Sequence, residues 1–100
     1  MKSMQDKLRA VESAALQLAG LIDAGWTPTS DEQDLIYSYA EGLSGQRIRN
    51  CVNGRCSLQA SLNFDMQAEE TEIERDLATL KTLREKAGPE ARKGNAKKEN

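Results

Sequence analysis

The 100-residue chain has no histidine, two cysteines, two prolines and four aromatic residues, Trp26, Tyr37, Tyr39 and Phe64. Without imidazole the usual general base near neutral pH is missing, so acid–base work would fall to carboxylates, lysine or a shifted cysteine. Two thiols fall short of the four ligands of a structural zinc site, and the four residues between Cys51 and Cys56 are not a knuckle spacing. Seven glycines stand singly, with no phosphate-cradling pattern among them. No run approaches the roughly 20 apolar residues of a membrane span. The start, Met1-Lys2-Ser3-Met4-Gln5-Asp6, enters charged helical sequence and carries no apolar signal core. These scarcities lead us to expect a non-enzyme with no cofactor and no metal, in a reducing cytosol where both thiols are free.

Large apolar groups are also scarce. Leu, Ile, Val and Phe make up 18 of the 100 residues, and the net charge is only -2, so a single small-cored domain is expected rather than a self-repelling chain. Met4, Leu8, Val11, Ala15, Leu18 and Ile22 recur at spacings of four and three, which predicts a helix over about 3–24. Gly25 supplies its left-handed cap, and Trp26 can fold back onto the last turn. Thr29 and Ser30 each precede a Glu or Gln by three positions, both capping-box arrangements for a second helix to about Leu43. Leu35, Ile36, Tyr39 and Leu43 are its candidate core residues.

From Gly45 the period changes. Between Arg55 and Gln67 every even residue is apolar and every odd one polar, the alternation of a strand with one buried face. Asn53-Gly54 is a hairpin signal, and residues 46–52, with Ile48 and Val52, are the candidate partner strand. If Asn53 and Gly54 alone form the loop, Cys51 lies opposite Cys56. If the loop also takes in Val52, Ile48 faces Leu58, the apolar residues share a face and the cysteines point apart, the register favoured here. A rival reading makes this segment a short helix capped by Ser44 and ended by Gly54.

A last helix from about residue 66 to Ala87 carries Ile73, Leu77, Leu80, Leu83 and Ala87 at helical spacing, with Gly88-Pro89 as its stop. Residues 89–100 have almost nothing to bury and read as a mobile tail. The expected fold class is therefore α+β, mainly helical, in the order α-α-β-hairpin-α, with an all-α bundle as the alternative. Its organisation is one domain over 1–88, with the hairpin near 46–66, and a polar tail over 89–100.

Charge is distributed unevenly. Residues 65–76 carry six acids, Asp65, Glu69, Glu70, Glu72, Glu74 and Asp76, against the single base Arg75. Asp31, Glu32, Asp34 and Glu41 form a second acidic group, while Arg47, Arg49 and Arg55 surround the predicted hairpin. Acids at helix starts complement the helix dipole, and Glu69-Glu70 also reads as an ordinary solvated pair. The sharper reading is a negative surface that docks on a basic groove built for nucleic acid. Its candidate contact residues are Asp31, Glu32, Asp34, Tyr37, Glu41, Asp65 and Glu69. Direct nucleic-acid binding is not expected of an acidic chain with few aromatics.

The run MKSMQDKLRAVESAALQLAGLIDAGWTPTSDEQDLIYSYAEGL and the remainder of the chain resemble the small phage- or prophage-encoded anti-CRISPR proteins that inhibit type I-F systems. The likeness extends over the whole chain and rests on no shared motif, so no functional residue is carried over. It implies a non-catalytic inhibitor in the host bacterial cytoplasm. Its partner would be the CRISPR RNA-guided surveillance complex, contacted near the large subunit and the adjacent backbone subunit, with target DNA kept from being bound or unwound. An alternative of another class is a small helical adaptor or antitoxin-like regulator that homodimerises along Leu77, Leu80 and Leu83.

Overall fold

A computed structural model describes the backbone of residues 3–99 and the side chains of residues 3–87. Five helices and no strand occur among the described residues: α1 (Met4–Asp23), α2 (Ser30–Ala40), α3 (Leu43–Val52), α4 (Leu58–Asn63) and α5 (Met66–Glu99). The expected α+β class is thereby corrected to the all-α alternative.

The two longest helices, α1 and α5, supply most of the core. Ser3 and Asp6 close a reciprocal capping box at the start of α1. Leu8, Val11, Ala15 and Leu18 are all buried, and Met4 and Ile22 pack at the edge of the same core, as the spacing predicts. α5 answers with Ile73, Leu80, Leu83 and Ala87, with Leu77 partly buried beside them. The α1–α5 pair is the main packing contact, and α2 lies against α1 through Ile36 and Tyr39. Trp26, in the link between α1 and α2, is only 5% exposed and joins this core. Burying side chains of this size contributes roughly 1.5–3 kcal/mol each, which is how a chain with few large apolar residues assembles one core.

The predicted hairpin is replaced by two short helices. Gly45, Ile48 and Val52 stand at i, i+3 and i+7, so the residues assigned to a strand face instead form the inner stripe of α3. Gly45 is buried where α3 meets α1, and a Cβ added there would collide with the Glu12 carboxylate. With residues 43–52 coiled, the alternating segment has no strand to pair with, and its backbone donors would be left open. It forms α4 instead, Ser57 capping it by accepting a hydrogen bond from the Ala60 N–H at 3.2 Å. The rival helix reading has the right ending at Gly54, although the N-cap is Gly42 rather than Ser44.

α4 buries none of its residues. Leu58 and Leu62, one turn apart, are each 78% exposed, and Leu43, expected in the core, is also exposed. Phe64 alone of the predicted strand face from 58 to 66 packs against the main core.

The expected stop at Gly88-Pro89 is corrected as well, because the α5 backbone is helical to Glu99. Proline removes one donor, but Glu90, Ala91, Arg92 and Lys93 beyond it are strong helix formers. Asn100 lies outside the described residues.

Candidate partner-binding surface

α2 starts at a reciprocal cap. Thr29 Oγ1 accepts from the Glu32 N–H at 3.2 Å, and Glu32 Oε1 accepts from the Thr29 N–H at 2.8 Å. Of the two capping boxes the sequence offers, the Thr29–Glu32 pair is used. The Thr29 N–H holds the Glu32 carboxyl below the usual carboxylate range. Glu32 is thus tied into the helix start, which limits its use in binding.

Asp31, Asp34 and Glu41 are different. At helical spacing Asp31 and Asp34 of α2 and Glu41, its C-cap, share the face turned away from Ile36 and Tyr39, and all three are exposed. Among the described residues none of the three side chains has a hydrogen-bond or ion-pair partner. Tyr37 sits half-buried at the margin of this face.

The acids of α5 are mostly engaged with the rest of the fold. Asp65 Oδ1 accepts from the Gln67 N–H at 3.0 Å and the Ala68 N–H at 3.2 Å, capping α5. Glu69 takes both arms of the Arg47 guanidinium, each at 3.0 Å, linking α5 to α3 and raising the Arg47 pKa. Glu70 and Glu74 both receive the Lys7 ammonium from α1, and these bonds raise the lysine pKa. Asp76 accepts the Tyr39 hydroxyl, so of the six acids in this stretch only Glu72 has no such partner among the described residues. Burial is the larger reason the Tyr39 phenol is pushed far up, with the Asp76 bond second.

Of the seven candidate contact residues, the structure therefore gathers Asp31, Asp34, Tyr37 and Glu41 on α2. Glu32 and Asp65 are caps, and Glu69 is an internal ion-pair partner. The sequence reading missed that Lys7 and Arg47 answer the acids of α5, and that Arg49 of α3 pairs with Glu12 of α1 at 2.5 Å. A usable signal was present: Glu69, Glu70, Glu74 and Asp76 flank the core positions Ile73 and Leu77, where side chains reach neighbouring helices.

A groove of about 230 Å³ between α1 and α5 is lined by Ala10, Ser13, Ala14, Gln17, Leu77, Leu80, Lys81 and Arg84, with no carboxylate or thiol among them. No group of three or more potential ligands is placed to hold a metal ion among the described residues. No described helix is long and apolar enough to cross a membrane. Leu80 and Leu83, two of the three residues of the alternative homodimer seam, are buried inside the chain's own core, and Leu77 packs against it. Compared with family models, curated proteins and solved structures, the chain matches none.

Proposed function

We propose that this protein is a non-catalytic inhibitor of the anti-CRISPR kind that acts in the host bacterial cytoplasm. It binds the type I-F CRISPR RNA-guided surveillance complex near its large subunit and adjacent backbone subunit, and it keeps target DNA from being bound or unwound. The whole-chain resemblance supplies the partner. The observation that carries the binding mode is the outer face of α2, where Asp31, Asp34 and Glu41 stand exposed while most acids of α5 are taken up within the fold. Channels that hold guide and target strands are basic, so a negative helix face competes for the same positive field. Tyr37 beside it offers an aromatic anchor, and the helix cap holds the carboxylates in a fixed array. Nucleic acid itself is not the ligand.

The test is co-elution of the full-length protein with purified surveillance complex, followed by a target-DNA mobility shift. The wild type is expected to co-elute and to suppress the shift. Reversing Asp31, Asp34 and Glu41 to lysine together should slow association by roughly tenfold or more and remove its salt dependence. Unchanged binding by that variant would move the contact off α2, and failure of the wild type to co-elute would remove the reading altogether.

A further inference from the structure

The only two cysteines of the chain are brought together by the way α3 ends. Asn53 is the last, half-helical residue, and Gly54 follows at φ +71°. The Gly54 N–H donates to the Cys51 carbonyl at 3.2 Å and the Arg55 N–H to the Asn50 carbonyl at 2.7 Å. These are the two bonds of a Schellman cap, which turns the chain back over the last helical turn. Cys51 lies in that turn and Cys56 just beyond the cap, immediately before Ser57 starts α4. Both thiols are free and both are half-exposed. The predicted register, with the cysteines pointing to opposite sides, is thereby replaced by a helix cap that turns the chain at Cys56 back toward the last turn of α3, where Cys51 stands; the Cys56 side chain is the leading cause of an upward shift of the Cys51 thiol. Burial and the charge of Glu69 add to that shift, and Arg47 opposes it.

We propose that Cys51 and Cys56 are a redox-active pair that closes an intramolecular disulfide across the α3–α4 junction. The oxidant is a low-molecular-weight disulfide of the oxidised-glutathione class. One of the two cysteines, as its thiolate, attacks one sulfur of the oxidant, forming a mixed disulfide and releasing one thiol. The other cysteine then loses its proton and attacks the protein sulfur of that mixed disulfide, expelling the second thiol. The protein loses two electrons and two protons, and the oxidant is reduced to two thiols. The resulting bond fixes the start of α4, and with it Leu58 and Leu62, against the end of α3.

The experiment uses the full-length reduced protein, oxidised glutathione as the probe, and quenching with an alkylating agent. Intact mass should show a species two hydrogens lighter than the reduced chain, unalkylated and monomeric on a non-reducing gel. Tryptic cleavage after Arg55, which is exposed, should then leave two fragments joined until a reductant is added. C51S and C56S should each stop at a single mixed disulfide with glutathione, since neither has a second thiol to expel it. Unfolding the wild type in urea should slow closure by roughly tenfold, since the cap that holds the thiols together is lost. A chain ending with two glutathione groups, a covalent dimer, or two alkylated thiols would overturn the proposal. So would closure at the same rate in folded and unfolded chains.

Discussion

At the end of α1 the Gly25 N–H donates to the Ile22 carbonyl and the Trp26 N–H to the Leu21 carbonyl, each at 3.0 Å; at the end of α3 Gly54 and Arg55 make the equivalent bonds to Cys51 and Asn50. Both glycines have positive φ, +116° and +71°. The two six-residue caps share one backbone pattern, yet they lead to opposite environments. Trp26 is buried in the core, and the chain after it enters α2, which buries Ile36 and Tyr39. Arg55 is exposed, and the chain after it enters α4, which buries nothing. The residue after the glycine decides the difference: an apolar one can close the cap against the helix and extend the core, and a charged one leaves the cap to its hydrogen bonds.

Truncating the residue after each glycine tests that difference most severely. Trp26→Ala should cost about 3–5 kcal/mol, the range for removing a large buried aromatic. Arg55→Ala should change stability by no more than about 0.5 kcal/mol. Urea midpoints of the two variants decide it. Equal effects would mean that the second cap is packed after all.

The same contrast explains what was legible in the sequence. Apolar residues at spacings of three and four identified α1 and α5, whose inner faces are as read, and Trp26 marked the first cap as the end of a helix. At the second cap, Asn53-Gly54 suits a hairpin as well as a helix end, because both need a residue with positive φ. Ile48 and Val52 also fit both periods, being an even number of residues apart and one helical turn apart. The alternation from 58 to 66 misled because it places Leu58 and Leu62 at i and i+4, and the fold exposes them instead of burying a face. For the candidate surface, charge blocks were visible in the sequence, but which acids are satisfied internally depends on Lys7, Tyr39 and Arg47 arriving from other helices.

Smaller changes sharpen the shared half of the comparison. Beyond their chain neighbours, neither Gly25 nor Gly54 has a described atom within 4 Å of where a Cβ would stand, so alanine at either position tests the backbone conformation alone. Each substitution should destabilise by about 1–2 kcal/mol, and the two costs should be similar despite the difference in burial beyond them. A much larger cost at Gly25 would show that the cap and Trp26 act as one unit, which the double variant with Trp26→Ala would measure as coupling.

Tyr39 tests the well-packed side through pH. Its hydroxyl donates to Asp76, tying α2 to α5, and its pKa in the fold is raised above the ordinary phenol value near 10. Stability from the neutral hydroxyl is therefore fully present below about pH 10 and is lost as pH rises from there toward the folded value. Tyr39→Phe should cost about 1 kcal/mol at neutral pH, since Asp76 loses its donor. It should also flatten the fall in stability above pH 10. An unchanged alkaline slope in urea titrations would place that proton elsewhere.

The smallest expected effect lies beyond the second cap. Leu58 and Leu62 project from α4 with most of their surface in water, so moving them to a polar helix former removes little burial and little helix propensity. Replacing both with glutamine should shift stability by no more than about 0.5 kcal/mol, whereas Ile36→Ala or Leu80→Ala in the core should cost about 2–5 kcal/mol. The double glutamine variant also separates two roles for α4. If the proposed binding to the surveillance complex survives along with stability, the helix is a spacer between α3 and α5. If binding falls while the urea midpoint stays fixed, the exposed leucines are contact residues, and the surface proposed on α2 extends to a second, apolar element.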